Sequence, residues 1–241
     1  MTPLQRLARR LGYDLTPRAK VRPLQAQLIA VLERFEVGCV IDVGANAGQY
    51  AATLRAWGYR GRIVSFEPQA ATHRLLAQRA AADPCWRVAP PMALGEGAGE
   101  VELEVSAESD MSSLLPQSAL LQRISPSSRI VGRERVKVAP LDDVIEDYLE
   151  PGERPFLKID TQGYEAQVLA GARGLLPRLQ GVQLEMPLVR CYEGERGFRE
   201  LIDDLAAAGF SPFLFMPGYF ERKLARQLQV DGVFMRAEDE R

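Results

Sequence analysis

The fold of this chain is decided by the stretch Val40-Ile41-Asp42-Val43-Gly44-Ala45-Asn46-Ala47-Gly48. Its first four residues form a nearly continuous apolar run, which predicts a strand that is buried on both faces of a sheet. The glycines that follow predict a tight turn in which the backbone approaches a ligand closely, and residues 47–57 have helical spacing. A strand, a glycine-rich turn and a helix in direct succession are typical of a parallel α/β sheet.

The same alternation of apolar runs and helical spacing continues along the chain. We expect strands at residues 40–43, 62–67, 86–89, 135–139, 156–160, 182–185, 210–216 and 232–236, and helices at 47–57, 69–82, 141–149, 163–172 and 198–208. This order predicts parallel βαβ units and an open α/β sheet. Because no crossover helix separates the last two strands, we expect them to pair antiparallel.

The middle of the chain departs from this alternation. Val101, Leu103 and Val105 alternate with polar residues, which predicts a half-exposed strand at a sheet edge or in a small hairpin. Residues 107–133 are rich in serine and contain few long apolar runs. We expect a long, partly irregular loop there, and loops of that length are often functional.

Two helices are expected ahead of the α/β region. Residues 3–18 predict a short basic helix with Leu4, Leu7, Ala8 and Leu11 on one side, and residues 22–35 predict a second amphipathic helix. We expect both to pack against the main domain, with a partner-binding arm as the alternative. The chain is therefore divided into a helical extension, residues 1–37, and an α/β domain, residues 38–241.

The composition of the 241 residues excludes several classes of protein. Hydrophobic residues make up 46% and charged residues 26%, as in ordinary globular proteins. The net charge of −2 does not favour nucleic acid as a partner. A single histidine excludes a multi-histidine metal site, and three widely spaced cysteines fit a reducing cytosol. With no signal peptide and no apolar stretch of transmembrane length, a cytoplasmic protein without a transmembrane segment is expected.

An acidic residue follows the glycine loop and suggests a ligand. Glu67 ends the second expected strand, 19 residues after Gly48, where a carboxylate can accept hydrogen bonds from both hydroxyls of a ribose. The pattern predicts a nucleoside site at the carboxyl edge of the sheet; the alternative is a tight turn that binds nothing. Because Asp42 would repel a pyrophosphate and attract an ammonium group, the loop suits S-adenosylmethionine better than a dinucleotide.

A second pattern keeps an oxidoreductase as an alternative. Tyr219 and Lys223 have the Y-x-x-x-K spacing of short-chain dehydrogenases, which use NAD(P). The pair lies late in the chain and lacks the upstream serine of such sites. We therefore favour the S-adenosylmethionine site.

Several carboxylates follow the expected central strands. Lys158 and Asp160 lie two residues apart on one strand and share a face, so they form an ion pair or bind a ligand. Glu165 starts the next helix, where a helix-start role alone is the alternative, and Glu185 ends the following strand. This cluster could hold a general base or one hard cation such as Mg²⁺. His73, in a helix after Glu67, is expected at the surface or in packing.

From about residue 38 to residue 236 the chain resembles the FkbM-family S-adenosylmethionine-dependent methyltransferases. The similar blocks are Val40–Gly48, Phe66-Glu67-Pro68, Ala93-Leu94-Gly95, Ser112-Ser113-Leu114, Leu141-Asp142-Asp143, Leu157–Glu165, Val168–Ala172 and Asp231–Phe234. The resemblance implies a Rossmann-like class I methyltransferase fold, with a mostly parallel seven-stranded sheet whose last strand is antiparallel. It also implies methyl transfer to an oxygen, often a sugar hydroxyl.

The resemblance further implies which residues form the site. The cofactor-binding residues would be Asp42, Gly44, Ala45, Asn46, Gly48, Glu67, Pro68, Met92, Ala93, Leu94 and Ser113. Glu67 would hold the ribose, and Met92 to Leu94 would flank the adenine. Our candidate base is Asp160, with Glu165 or Glu185 assisting.

Some questions stay open at this point. The acceptor is a small molecule or a glycan of unidentified kind, and a non-catalytic S-adenosylmethionine-binding module is a further alternative. The need for a divalent metal and the presence of a homo-oligomer are not decided by the sequence.

Overall fold

The computed structural model describes residues 3–12 and 23–236. In chain order its strands are β1 (Cys39–Val43), β2 (Arg62–Phe66), β3 (Trp86–Val88), β4 (Ala93–Leu94), β5 (Gly99–Ser106), β6 (Ile130–Ala139), β7 (Pro155–Ile159), β8 (Gly181–Pro187), β9 (Phe210–Pro217), β10 (Phe220–Glu221), β11 (Arg226–Gln227) and β12 (Gln229–Arg236). Its helices are α1 (Pro3–Arg10), α2 (Leu24–Arg34), α3 (Gln49–Trp57), α4 (Ala70–Ala80), α5 (Ala119–Ile124), α6 (Leu141–Val144), α7 (Glu165–Ala170) and α8 (Phe198–Ala207).

Seven strands form the main sheet, in the spatial order β3-β2-β1-β7-β8-β12-β9. The five strands from β3 to β8 in that order are parallel, and β12 is antiparallel to both of its neighbours. The expected Rossmann-like sheet, mostly parallel with its last strand antiparallel, is therefore confirmed. Between β1 and β7 the strand order reverses direction, which places a crevice at the carboxyl ends of these two strands.

Helices cover both faces of this sheet, which explains the continuous apolar runs. One buried cluster includes Leu157, Val182 and Leu205, and a second on the other face includes Phe156. The predicted packing of α2 against the main domain is confirmed, because Leu32 belongs to that second cluster.

The first helix differs from α2. Leu4, Leu7 and Leu11 are 65%, 56% and 67% exposed, so the expectation that they pack against the main domain is wrong for these leucines, although Ala8 of the same side is buried. Residues 13–22, which include the expected end of this helix, lie outside the described residues.

The middle of the chain forms a small second sheet. Strand β6 pairs antiparallel with β5 and parallel with β4, which confirms the half-exposed strand expected around Leu103. The expected loop at 107–133 is wrong in part, because α5 lies within it and β6 begins at Ile130. Helix α5 has only six residues and is capped by the Ser118 hydroxyl, which accepts the N–H of Leu121. The first half of β6 is exposed although it begins with Ile130 and Val131, so its apolar residues do not mark a core strand.

The last two main strands pair antiparallel, as expected. Strand β9 lies at the sheet edge, where Phe213 and Phe215 alternate with less exposed residues. No helix in the described part of the chain is long and apolar enough to cross a membrane.

Candidate active site

A cavity lies at the carboxyl ends of β1, β2 and β7, under the segment that follows β5. Its lining includes eight of the eleven residues expected to bind the cofactor: Gly44, Asn46, Glu67, Pro68, Met92, Ala93, Leu94 and Ser113. Among the expected catalytic residues, Asp160 lines the cavity, whereas Glu165 and Glu185 do not.

The Glu67 carboxylate is held at the cavity wall by two backbone donors. The N–H of Asn46 donates to Oε2 and the N–H of Gln69 donates to Oε1, each at 2.9 Å. The side chain is buried, and burial raises the pKa of Glu67 to about 7 despite the two donors. Each oxygen keeps a lone pair, so the carboxylate can accept two further hydrogen bonds from one ligand.

The glycines of the loop are required by contacts within the chain. A Cβ on Gly44, which has φ +72°, would lie 1.9 Å from the carbonyl oxygen of Asp160. A Cβ on Gly48, with φ +83°, would lie 2.8 Å from the Trp86 ring. Gly44 also lines the cavity, but Gly48 and Ala45 do not. These glycines therefore let strand ends and a side chain pack closely, and their role in ligand approach stays a prediction.

Asp42 has a partner that the sequence analysis did not assign to it. Its carboxylate is fully buried beneath the cavity, 3.0 Å from the Lys158 ammonium, and it accepts the hydroxyl of Ser65. Burial alone would lower the pKa of Lys158, but the carboxylates of Asp42 and Asp160 outweigh burial and raise it. The prediction that Asp42 attracts an ammonium group is right in its chemistry, but the group is Lys158.

Lys158 also confirms the expected pairing with Asp160. Its Nζ lies 3.7 Å from Asp160 Oδ2 and donates to the carbonyl of Gly44 at 3.2 Å. The ammonium thus connects the glycine loop with the end of β7.

A glutamine to which the sequence analysis gave no role in the site connects the carboxylates. The Gln162 amide Nε2 donates to Asp160 Oδ1 and to Glu185 Oε2, both at 2.9 Å. Its Oε1 accepts the hydroxyl of Tyr192 at 2.9 Å, and its backbone carbonyl accepts the hydroxyl of Ser113 at 2.7 Å. Gln162 has φ +56°, a strained value for a residue with a side chain. The sequence signal that could have identified Gln162 is its place in the turn directly before Gly163.

The other two expected catalytic carboxyl groups bind groups of the chain itself. Glu165 Oε1 accepts the N–H groups of Thr161 and Gly163, and burial raises its pKa to about 7. Glu185 Oε2 accepts amide N–H groups of Gln162 and Gln229. Burial, and then the charge of Asp160, raise the pKa of Glu185 well above its usual range. Glu165 therefore has the helix-start role that was the alternative for it.

Other candidates from the sequence lie outside the cavity. His73 Nε2 lies 2.7 Å from the carbonyl of Ala89, in line with its expected packing role. The Tyr219 hydroxyl donates to Glu221, and neither Tyr219 nor Lys223 lines the cavity. Within residues 3–12 and 23–236, no group of His, Cys, Asp and Glu is arranged to hold a metal ion.

The charge of the cavity lining is acidic. Glu67, Asp110 and Asp160 are its ionisable carboxyl groups, and no Lys, Arg or His is among the lining residues. Such a lining repels a pyrophosphate and attracts a cation. Its apolar part includes Met92, Leu94 and Leu103.

The comparison with protein families shows which family the chain belongs to. The family model described as methyltransferase FkbM domain matches residues 42–212. The chain belongs to the FkbM methyltransferase family. This FkbM-family protein is therefore an S-adenosylmethionine-dependent methyltransferase, and the oxidoreductase alternative is not supported. Comparison with curated proteins gives no match.

Solved structures similar to this FkbM-family methyltransferase are distant in sequence. An rRNA methylase from Streptococcus thermophilus is 9% identical, with a TM-score of 0.49. The alignment covers 90% of this chain and 99% of the methylase chain. A precorrin-6y C5,15-methyltransferase from Geobacter metallireducens is 9% identical (92% and 93% covered, TM-score 0.45). A magnesium protoporphyrin IX methyltransferase from Synechocystis with bound cofactor is 11% identical (98% and 86% covered, TM-score 0.46).

The cavity of the FkbM-family enzyme fits this cofactor. S-adenosylmethionine has a ribose diol, an adenine and a cationic amino-acid end but no phosphate. The free lone pairs of Glu67, the apolar wall around Met92 and Leu94, and the acidic lining match these three parts.

Proposed function

We propose that this enzyme methylates a hydroxyl group, and that the hydroxyl belongs to a sugar in a glycoside, polysaccharide, glycolipid or natural product. The observation that carries the proposal is the position of Asp160. Its carboxylate lines the cavity with its side chain 38% exposed, and Gln162 and Lys158 fix its two oxygens from behind. An accessible, oriented carboxylate is the group that methylation of a hydroxyl requires.

For the cofactor we propose the following roles. Glu67 accepts the ribose hydroxyls, with Pro68 beside it, and Met92, Ala93 and Leu94 flank the adenine. Gly44, Asn46 and Ser113 line the rest of the cofactor site, and Asp42, Ala45 and Gly48 support it from below. S-adenosylmethionine supplies a methyl group that its positively charged sulfur already activates.

The chain's own chemical task is to remove a proton. A sugar hydroxyl is a poor nucleophile until its proton leaves, and no histidine lines the cavity to accept it. Asp160 accepts this proton as the acceptor oxygen bonds to the methyl carbon; the sulfur–methyl bond of the cofactor would break in the same step, and S-adenosylhomocysteine would leave. Glu165 and Glu185 position other residues and do not contact the substrate in this proposal. Glu165 holds the turn after Asp160, and Glu185 holds the Gln162 amide. Positioning of the acceptor oxygen in line with the methyl group supplies the remaining rate enhancement.

The polar lining supports a sugar as the acceptor. Ser109, Asp110, Ser112 and Gln162 offer hydroxyl, carboxylate and amide groups, and Tyr164 offers an aromatic ring. These are groups that hydrogen-bond to sugar hydroxyls and pack on the apolar face of a sugar ring.

The test is an acceptor screen with isotopically labelled S-adenosylmethionine. Free, nucleotide-linked and lipid-linked sugars are incubated with the enzyme, and the product is analysed by mass spectrometry and NMR. Label on a sugar oxygen supports the proposal. Label on carbon or nitrogen overturns O-methylation, and label on a hydroxyl that is not part of a sugar overturns the acceptor class. Tight S-adenosylhomocysteine binding without transfer to any acceptor would favour a non-catalytic binding module.

A further inference from the structure

Helix α1 and the turn that directly follows it present three exposed leucines, whereas Ala8 on the same side is buried. Leu4, Leu7 and Leu11 follow one another at spacings of three and four, which places them on one side of a helix. More than half of each leucine is exposed, whereas Leu28 and Leu32 of α2 are buried in the core. Three exposed leucines at this spacing are costly in water, and they indicate a surface that meets an apolar phase.

The opposite side of α1 is basic. Arg6, Arg9 and Arg10 occupy it, and the helix has no acidic residue in its first turn. Residues 1–22 contain six basic residues and one acidic residue, a formal charge of +5, whereas the remainder of the chain carries −7. The positive charge of the chain is thus concentrated, in sequence, in the segment that contains the exposed leucines.

We propose that α1 docks this methyltransferase on an anionic lipid surface. An interfacial helix buries its apolar side at the boundary of headgroups and acyl chains, while basic side chains contact the phosphates. Eight residues of helix span only about 12 Å, too short to cross a bilayer, so α1 lies in the plane of the surface. A nucleic acid would satisfy the arginines but offers no apolar phase for the leucines. The proposal is independent of the acceptor.

The experiment is flotation of the full-length protein with vesicles of phosphatidylcholine, with and without phosphatidylglycerol. One variant carries Leu4→Gln, Leu7→Gln and Leu11→Gln, which keep helix propensity. A second carries Arg6→Gln, Arg9→Gln and Arg10→Gln. The matched control carries Arg74→Gln, Leu75→Gln and Arg79→Gln in α4, where all three residues are exposed. Affinity for S-adenosylhomocysteine, measured by calorimetry, verifies that every variant is folded.

We expect flotation only with vesicles that contain phosphatidylglycerol. Each arginine near the surface contributes roughly a fivefold increase in partitioning, so the triple arginine variant loses about 100-fold. The triple leucine variant loses binding as well, and the α4 control floats like the unmodified protein. The proposal is overturned if the protein does not float, if the leucine variant floats normally, or if binding occurs to a single-stranded RNA of mixed sequence and not to vesicles.

Discussion

The Lys158 ammonium lies 3.0 Å from the Asp42 carboxylate, and both groups are buried beneath the cavity at the ends of neighbouring strands. The two residues are opposite each other in the register of β1 and β7. They fix the relative position of the glycine loop after Asp42 and the turn after Lys158, which carry groups on both sides of the cavity.

Replacement of Lys158 by methionine is predicted to destabilise the protein strongly. The variant leaves Asp42 charged, buried and unpaired, which costs about 3–5 kcal/mol. The control is Arg154→Met, which removes an exposed ion pair with Glu36 and costs less than about 1 kcal/mol. Urea unfolding of both variants measures the difference. Equal losses would show that the buried pair has no special structural role.

Replacement of Gly44 by alanine is predicted to cost more than about 3 kcal/mol of stability or to prevent folding. The added Cβ meets the backbone of Asp160, and φ +72° is unfavourable for alanine. Gly97→Ala is the control, because a Cβ there has no atom within 4 Å. Thermal unfolding of the two variants compares them. A Gly44→Ala protein as stable as the control would contradict the close approach of these two strand ends.

The affinity for S-adenosylhomocysteine is predicted to rise with pH up to about 7. Burial raises the pKa of Glu67 to about 7 in the free protein, and hydroxyl donors favour the ionised carboxylate. Protonation therefore competes with binding below that pH, with a limiting slope of about tenfold per pH unit. Calorimetry between pH 5.5 and 8 measures this slope.

Glu67→Gln should abolish the slope and weaken binding by about 1–3 kcal/mol. Glu195→Gln is the control, because burial also raises the pKa of Glu195 to about 7 and that residue does not line the cavity. A slope that persists in Glu67→Gln, or disappears in the control, would refute the ribose role.

Replacement of Gln162 by methionine is predicted to lower kcat by at least about tenfold with little change in cofactor affinity. The variant removes the donor that orients Asp160 and the acceptor of the Tyr192 hydroxyl. Gln183→Met is the control, because Gln183 likewise accepts a tyrosine hydroxyl, from Tyr50, but does not line the cavity. If both variants keep normal turnover, Gln162 does not position the base.

The sequence predicts the main sheet well because five parallel strands are covered on both faces. Their apolar runs need no tertiary information, and Gly44 and Glu67 stand next to them in the chain. The small sheet is harder to predict, because Ile130 and the residues after it are exposed and pair outside the core.

The interior of the site depends on pairings between distant segments. Asp42 and Lys158 are more than a hundred residues apart, and only the order of strands makes them partners. Gln162 has no charge that marks it in a sequence, and its importance comes from the side chains that surround it. Glu165 and Glu185 are recognisable from the sequence because they are acidic. The hydrogen bonds that their carboxylates accept from other residues of the chain are not.

Whether Asp160 accepts the hydroxyl proton is tested most directly by the rate of methyl transfer in the Asp160→Asn variant. The substitution keeps the size of the side chain and its place beside Gln162 but removes the base. At saturating S-adenosylmethionine and acceptor, the rate should fall by about 10²- to 10⁴-fold, while affinity for S-adenosylhomocysteine changes far less. A variant that transfers the methyl group at a near-normal rate would remove Asp160 from the mechanism.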